Sequence, residues 1–152
     1  MIVDDEDSLV WSLEKLLQQA GYRELATLTD SREAVTLFDS FRPDILLLDL
    51  QMPYLDGYDV LRALKPLLAG DRNFPILVMT GEVQPEAKVR ALAEGARDFI
   101  TKPFEQIEVL LRVKSLLEMR KLRRTVRAQA RMLERREWEE GLERELQEAA
   151  QG

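Results

Sequence analysis

Short apolar runs alternate with amphipathic segments over the first 104 residues of the chain. The segments between the runs space leucine, alanine and phenylalanine at helical intervals. Strands that alternate with helices form parallel sheets covered on both faces, and their right-handed crossovers gather the strand carboxyl ends at one edge. The sequence therefore predicts an α/β fold of five strand–helix units. The predicted strands lie near residues 1–3, 25–28, 45–48, 76–80 and 98–101.

Polar residues stand where four of these apolar runs end. Asp4 and Asp5 follow the first run, Asp49 ends the third, Thr80 ends the fourth and Lys102 follows the fifth. Open parallel sheets bind ligands at the carboxyl edge of their strands. The Asp49 strand is continuously apolar, which predicts a central, fully buried position. We therefore expect these carboxylates, hydroxyl and ammonium to converge on one site.

The composition restricts the chemistry of such a site. The 152 residues include no cysteine and no histidine, so thiolate and imidazole ligands, thiolate nucleophiles and histidine bases are excluded. A metal site must then use oxygen ligands, which favours a hard cation such as Mg²⁺. No apolar stretch approaches the length of a membrane span, and no signal peptide precedes the first strand. We expect a cytoplasmic protein without a membrane partner.

The predicted cluster suits phosphoryl transfer onto an aspartate. A divalent cation would relieve the repulsion between a carboxylate and a phosphoryl group, with Asp5 and Asp49 as ligands and Asp4 acting through water. A backbone carbonyl just after Asp49 would supply a further ligand. Lys102 would neutralise phosphoryl charge, and the Thr80 hydroxyl would donate to a phosphoryl oxygen. The predicted reaction is in-line transfer onto Asp49, which gives an acyl phosphate.

Five motifs in order carry a family resemblance. They are Asp4-Asp5, Asp49 with Met52-Pro53, Asp56-Gly57, Thr80-Gly81 and Lys102-Pro103-Phe104. Over residues 1–117 the chain resembles the receiver domain of two-component response regulators. The resemblance implies a flavodoxin-like (βα)₅ doubly wound parallel sheet with strand order 2-1-3-4-5. It also implies a signalling domain that phosphorylates and dephosphorylates only itself, rather than an enzyme acting on a separate substrate.

The resemblance also implies a role for each residue of the site. Asp49 matches the aspartate that accepts a phosphoryl group from a sensor histidine kinase, and Lys102 matches the lysine that contacts the phosphate. Thr80 matches the switch hydroxyl and Phe99 the switch aromatic. The implied Mg²⁺ ligands are Asp4, Asp5, Asp49 and the backbone carbonyl of Gln51. Two simpler interpretations stay open: Asp4-Asp5 as a helix cap, and Phe99 as an ordinary core residue.

The pattern changes after residue 104. Residues 1–104 hold 18 acidic and 11 basic residues, whereas residues 105–152 hold 10 acidic and 11 basic ones, with the basic residues concentrated before Glu137. We predict a long C-terminal helix, with residues 118–152 as a coiled-coil linker and a homodimer formed through this helix and the last receiver face. A charged, poorly ordered tail is the alternative. The predicted seam comprises Met119, Leu122, Val126, Gln129 and Leu133.

Two other functions compete with the receiver interpretation. A phosphohydrolase of the haloacid dehalogenase kind also uses an aspartate nucleophile, but it requires a second aspartate two residues later, where this chain has Gln51. A DNA-contacting regulator would use the basic run from Arg120 to Arg136. The acidic stretch beside that run favours pairing between helices, so we expect no nucleic-acid partner from this chain alone. We also expect a shortened first strand, and an output module elsewhere in a longer regulator.

Overall fold

Five parallel strands form one sheet in the order β2-β1-β3-β4-β5 in this computed structural model, which describes residues 1–151 and the side chains of residues 1–150. Both the α/β class and the predicted strand order are confirmed. The strands are β1 (Ile2–Val3), β2 (Thr27–Leu28), β3 (Leu46–Asp49), β4 (Ile76–Thr80) and β5 (Asp98–Thr101).

A helix follows each strand. The helices are α1 (Asp7–Gln19), α2 (Ala34–Phe41), α3 (Gly57–Leu64), α4 (Pro85–Ala93) and α5 (Gln106–Gln151). A short 3₁₀ turn, Ser31–Glu33, precedes α2. The long C-terminal helix is thus confirmed. Gly21 follows α1 with φ +98°, a conformation that favours glycine at the end of a helix, and α3 ends before Pro66, which cannot continue a helix.

The central strand β3 explains how the sheet holds together. All four of its residues are buried, and its side chains alternate between the two faces. Leu46 and Leu48 pack in a core with residues of α2 and α3, whereas Leu47 packs with residues of α1 and with Val109 of α5. Because both faces are covered, the strand must be apolar throughout. Asp49 is the first residue of β3 to break that pattern.

The chain divides into two compact units, Met1–Leu117 and Glu118–Gly152. The first unit contains the sheet and both cores. The second consists of the α5 residues from Glu118 onward, whose apolar side chains are exposed, including Leu122, Val126 and Leu133. Among residues 1–151, no helix has both the length and the apolar character needed to cross a bilayer.

Candidate functional site

Three aspartates meet at the carboxyl edge of the sheet. Asp4 and Asp5 follow β1, and Asp49 ends β3, the strand that pairs with β1 through the register Val3 to Leu48. One carboxylate oxygen from each aspartate lies within 4.8 Å of the others. Asp4 is 0% exposed and Asp49 is 3% exposed, while Asp5 is open to solvent. The topology therefore brings together all three carboxylates that the sequence predicts.

Lys102 reaches this cluster from the end of β5. Its Nζ lies 2.6 Å from Asp4 Oδ2 and 3.4 Å from Asp49 Oδ1. The Lys102 amide donates to the Thr80 carbonyl at 2.7 Å, which fixes the base of the side chain. The Lys102–Pro103 peptide bond is cis. One ammonium thus pairs with two buried carboxylates. The remaining negative charge and the oxygen donors suit a hard divalent cation, so the residues fit Mg²⁺.

The environment of Asp49 disfavours its charged form. Burial is the larger cause and repulsion from Asp4 the second, and together they raise the pKa of Asp49 to about 6, although Lys102 acts in the opposite direction. Burial works to lower the pKa of Lys102, but hydrogen bonding and attraction from Asp4 and Asp49 outweigh it, so that the pKa is raised. At neutral pH the site therefore holds an ionised carboxylate beside a charged lysine.

Thr80 ends β4, the neighbour of β3, and so brings a hydroxyl to the same edge of the sheet. The side chain is 2% exposed, and its Oγ1 accepts a hydrogen bond from the Glu82 amide at 3.0 Å. Glu82 in turn accepts a bond from Gln51 Nε2 at 3.3 Å. The Gln51 amide donates to Asp49 Oδ1, also at 3.3 Å. The loops after β3 and β4 are thus linked across the mouth of the site.

Comparison with known proteins identifies the family. Residues 1–114 match the family model of the response regulator receiver domain. The chain belongs to this family. The receiver domain prediction made from the five motifs is therefore confirmed. Neither this match nor the geometry tests the role of any single residue, so the assigned roles stay predictions.

Two curated relatives and one solved structure illustrate the similarity. The chain is 38% identical over 120 residues to the transcriptional regulatory protein PrrA of Mycobacterium tuberculosis, covering 79% of this chain and 50% of PrrA. It is 38% identical over 117 residues to the alkaline phosphatase synthesis transcriptional regulatory protein PhoP of Bacillus subtilis, covering 77% of this chain and 47% of PhoP. The chain thus spans about half the length of these curated relatives. A chain of the CheX–CheY–BeF3–Mg²⁺ complex from Borrelia burgdorferi superimposes with a TM-score of 0.67 at 31% identity, covering 76% of this chain and 85% of that one.

The receiver domain requires glycine immediately after Asp56. A Cβ atom on Gly57 would lie 2.4 Å from the Asp49 carbonyl oxygen and 2.7 Å from the Leu50 Cα, which no side chain tolerates. Asp56 and Asp59 close a reciprocal capping box at the start of α3. These contacts fix α3 against the end of β3. The sequence contained the Asp-Gly motif, but it gave no sign that the glycine is needed because the Asp49 and Leu50 backbone lies against it.

Phe99 lies on β5, beside Val78 of β4, and is half-buried. The Lys88 ammonium of α4 lies 4.1 Å from the centre of its ring. The receiver domain therefore holds this aromatic residue partly at the surface, in contact with the helix that follows the Thr80 loop. The cation contact was not predicted from the sequence, because residues 88 and 99 belong to different elements.

Ser31 is a buried polar residue of the receiver domain that the sequence analysis missed. It is 2% exposed, and its hydroxyl donates to the Pro53 carbonyl at 2.9 Å while it accepts from the Leu55 amide at 3.2 Å. Tyr54, between those two residues, has φ +70°. A serine before a helix predicts only a cap, so its bonds to a distant loop were invisible in the sequence.

Proposed function

We propose that this receiver domain accepts a phosphoryl group on Asp49 from a sensor histidine kinase in a Mg²⁺-dependent reaction. The observation that carries the proposal is the burial of Asp49 at 3% exposure beside Asp4, Asp5 and Lys102. Burying a carboxylate costs free energy, and carboxylates whose pKa values are perturbed by burial and by neighbouring charges cluster at functional sites. Its placement at the carboxyl edge of β3 supports a role in ligand chemistry.

The chain's own residues carry each part of the proposed reaction. A carboxylate oxygen of Asp49 forms a bond to phosphorus while the bond from phosphorus to the kinase imidazole breaks, and the electron pair stays on the ring nitrogen. The Lys102 ammonium shifts from Asp4 toward the incoming phosphoryl oxygens, and the Thr80 hydroxyl donates a hydrogen bond to one of them. In this proposal Asp49 is the acceptor, and the receiver domain itself becomes the phosphorylated product.

A bound Mg²⁺ would neutralise the charge of the phosphoryl oxygens as a Lewis acid. Asp4, Asp5, Asp49 and the Gln51 carbonyl are the residues that would hold or orient it. The similar Borrelia structure, named as a complex with BeF3 and Mg²⁺, supports this proposal. The three carboxylates of the cluster supply the hard oxygen donors that Mg²⁺ prefers.

The proposed reaction can be tested by intact-mass measurement. The protein is incubated with a small phosphodonor and Mg²⁺, and in parallel with EDTA in place of the metal. We expect an adduct of one phosphoryl group only when Mg²⁺ is present, and no adduct with Asp49→Asn. Asp39→Asn, an exposed aspartate of α2, is the matched control and should still be phosphorylated. An adduct that persists on Asp49→Asn would refute the assignment of Asp49.

We propose that phosphorylation acts on α4, β5 and α5. Thr80 and Lys102 would be drawn toward the added charge, and Phe99 would turn into the space that Thr80 leaves. The half-buried position of Phe99 supports this, because a partly exposed ring can become more deeply buried.

We further propose that residues 118–152 pair with a second copy as a coiled coil. The exposed leucine and valine side chains of the seam support this, because a lone helix gains nothing by presenting them to water. Light scattering with Leu122→Glu tests it, with Met132→Glu as control, since Met132 is equally exposed but lies off the seam. We expect only the Leu122 variant to be monomeric. A parent protein that is monomeric with and without a phosphoryl mimic would refute it. The predicted cytoplasmic location remains a prediction.

DNA contact is the second candidate for the same helix. The basic residues between Arg120 and Arg136 favour it, and the relatives PrrA and PhoP are named as transcriptional regulatory proteins. Phosphate contacts make binding steeply salt-dependent. A fluorescence titration with duplex DNA at two salt concentrations distinguishes the two roles. Binding that is absent even at low salt would leave helix pairing as the function of this segment.

A further inference from the structure

The loop between β3 and α3 carries the Gln51 carbonyl, so its conformation matters for the metal. Both ends of this loop are fixed by backbone bonds. The Leu50 amide donates to the Met79 carbonyl at 3.2 Å, and the Leu50 carbonyl accepts from the Gly57 amide at 2.9 Å. Between these anchors the chain must make a turn over residues 51–56. That turn needs its own support, because a mobile carbonyl is a poor metal ligand.

The turn contains a strained residue. Tyr54 has φ +70°, in the left-handed region that a side chain with a Cβ rarely adopts. The residue is 72% exposed, so burial of its side chain does not hold it there. The Arg32 guanidinium lies 3.9 Å from the ring centre, and Arg32 is itself paired with Asp30 at 2.7 Å. A surface contact of this kind is weak, and the strain therefore needs a second source of support.

Ser31 provides that support from the buried side. Its single hydroxyl bonds the Pro53 carbonyl and the Leu55 amide, the two backbone groups that flank Tyr54. Both bonds are made while Tyr54 is in its left-handed conformation, so the hydroxyl bridges the backbone on either side of this residue. At 2% exposure the hydroxyl has little access to water, so losing either bond is not readily compensated.

We propose that Ser31 is a positioning residue for the metal and phosphorylation site, which acts by holding Tyr54 left-handed and thereby fixing the Gln51 carbonyl. This inference rests on the proposed Mg²⁺-dependent function. The two Ser31 bonds go to Pro53 and Leu55, and neither of these is a proposed metal ligand or the proposed phosphoacceptor. Its effect must pass through the backbone of residues 51–55, and a glycine at position 54 should therefore make Ser31 dispensable.

The test compares Ser31→Ala, Tyr54→Gly and the double variant with the parent protein. Ser40→Ala is the matched control, because the Ser40 hydroxyl donates to the Leu37 carbonyl within its own helix. Mg²⁺ affinity is measured by calorimetry on the full chain without a phosphodonor. We expect Ser31→Ala to weaken Mg²⁺ binding about 10-fold, in the range found when support of a metal ligand is lost. Ser40→Ala should leave the affinity unchanged.

Rescue distinguishes positioning from general destabilisation. The double variant Ser31→Ala/Tyr54→Gly should recover most of the lost affinity. Amide exchange at Leu55 should rise in both variants that lack the Ser31 hydroxyl, because that hydroxyl accepts the Leu55 amide, and it should not rise in Ser40→Ala. Unchanged Mg²⁺ affinity in Ser31→Ala would overturn the inference, and so would a loss of affinity that Tyr54→Gly does not rescue. Should Ser31→Ala fail to fold, Ser31→Cys, with its weaker donor and acceptor, takes its place. Absence of Mg²⁺ binding by the parent would instead contradict the proposed function.

Discussion

Replacing Asp49 by asparagine should stabilise the metal-free receiver domain at neutral pH. The pKa of Asp49 is raised from 3.8 to about 6, chiefly by burial. Each unit corresponds to about 1.4 kcal/mol, so keeping this carboxylate ionised costs the folded state up to about 3 kcal/mol. Asparagine has nearly the same shape and can still accept the bond from the Gln51 amide. Lys102 keeps its closer partner Asp4, at 2.6 Å.

The gain in stability should depend on pH with a defined sign. Between pH 3.8 and about 6, the folded protein binds more protons at Asp49 than the unfolded chain does. The protonated Asp49 carboxyl therefore contributes stability to the folded state. This stability is fully present below pH 3.8 and is lost as the pH rises through about 6. Asparagine carries no charge at any pH. The difference between Asp49→Asn and parent should thus be small near pH 4 and largest above pH 7.

Urea unfolding in EDTA at several pH values measures this difference. We expect Asp49→Asn to exceed the parent by about 1–3 kcal/mol at pH 7.5 and by well under 1 kcal/mol near pH 4. Asp39→Asn, an exposed aspartate in the i,i+3 pair with Arg42, should change stability little. Equal or lower stability of Asp49→Asn at pH 7.5 would refute the reasoning that burial of the Asp49 charge is costly.

Two further substitutions test other contacts of the site. Gly57→Ala should cost about 1–3 kcal/mol of unfolding free energy, because its Cβ would overlap the Asp49 carbonyl. Gly70→Ala is the control, because the space around Gly70 is open. Equal losses of stability in the two variants would show that the contact with Asp49 is not the cause. Lys88→Met removes the cation over the Phe99 ring, worth about 0.5–1 kcal/mol at an exposed site, so that the ring should turn inward about two- to fivefold more often. Fluorine NMR of a labelled Phe99 measures this, and an unchanged spectrum would show that Lys88 does not bias the ring.

The fold could be predicted because its signals are local and repeated. Five apolar runs between amphipathic segments define a parallel sheet, and the burial of all four β3 residues follows from the unbroken run that ends at Asp49. The site could be predicted for the same reason. Parallel strands bring their carboxyl ends together, so residues far apart in the chain, such as Asp4 and Lys102, meet at one edge.

The remaining contacts depend on geometry that no local pattern encodes. Ser31 bonds a loop 22 residues away, and Lys88 lies over a ring on another element. Their residue types fit many other surroundings equally well. The second strand was expected to begin at residue 25 but covers only Thr27–Leu28, because pairing with the short β1 limits its length. Such features follow from the packed structure and not from periodicity.

The position of the phosphoryl group on the chain tests most directly whether Asp49 is the acceptor. After reaction with a small phosphodonor and Mg²⁺, borohydride reduces an acyl phosphate of aspartate to homoserine, and peptide mass mapping then locates the modified residue. We expect homoserine at position 49 alone, with Asp4 and Asp5 unmodified. Homoserine at either of those positions, or a phosphoryl group on Thr80 with Asp49 intact, would contradict it.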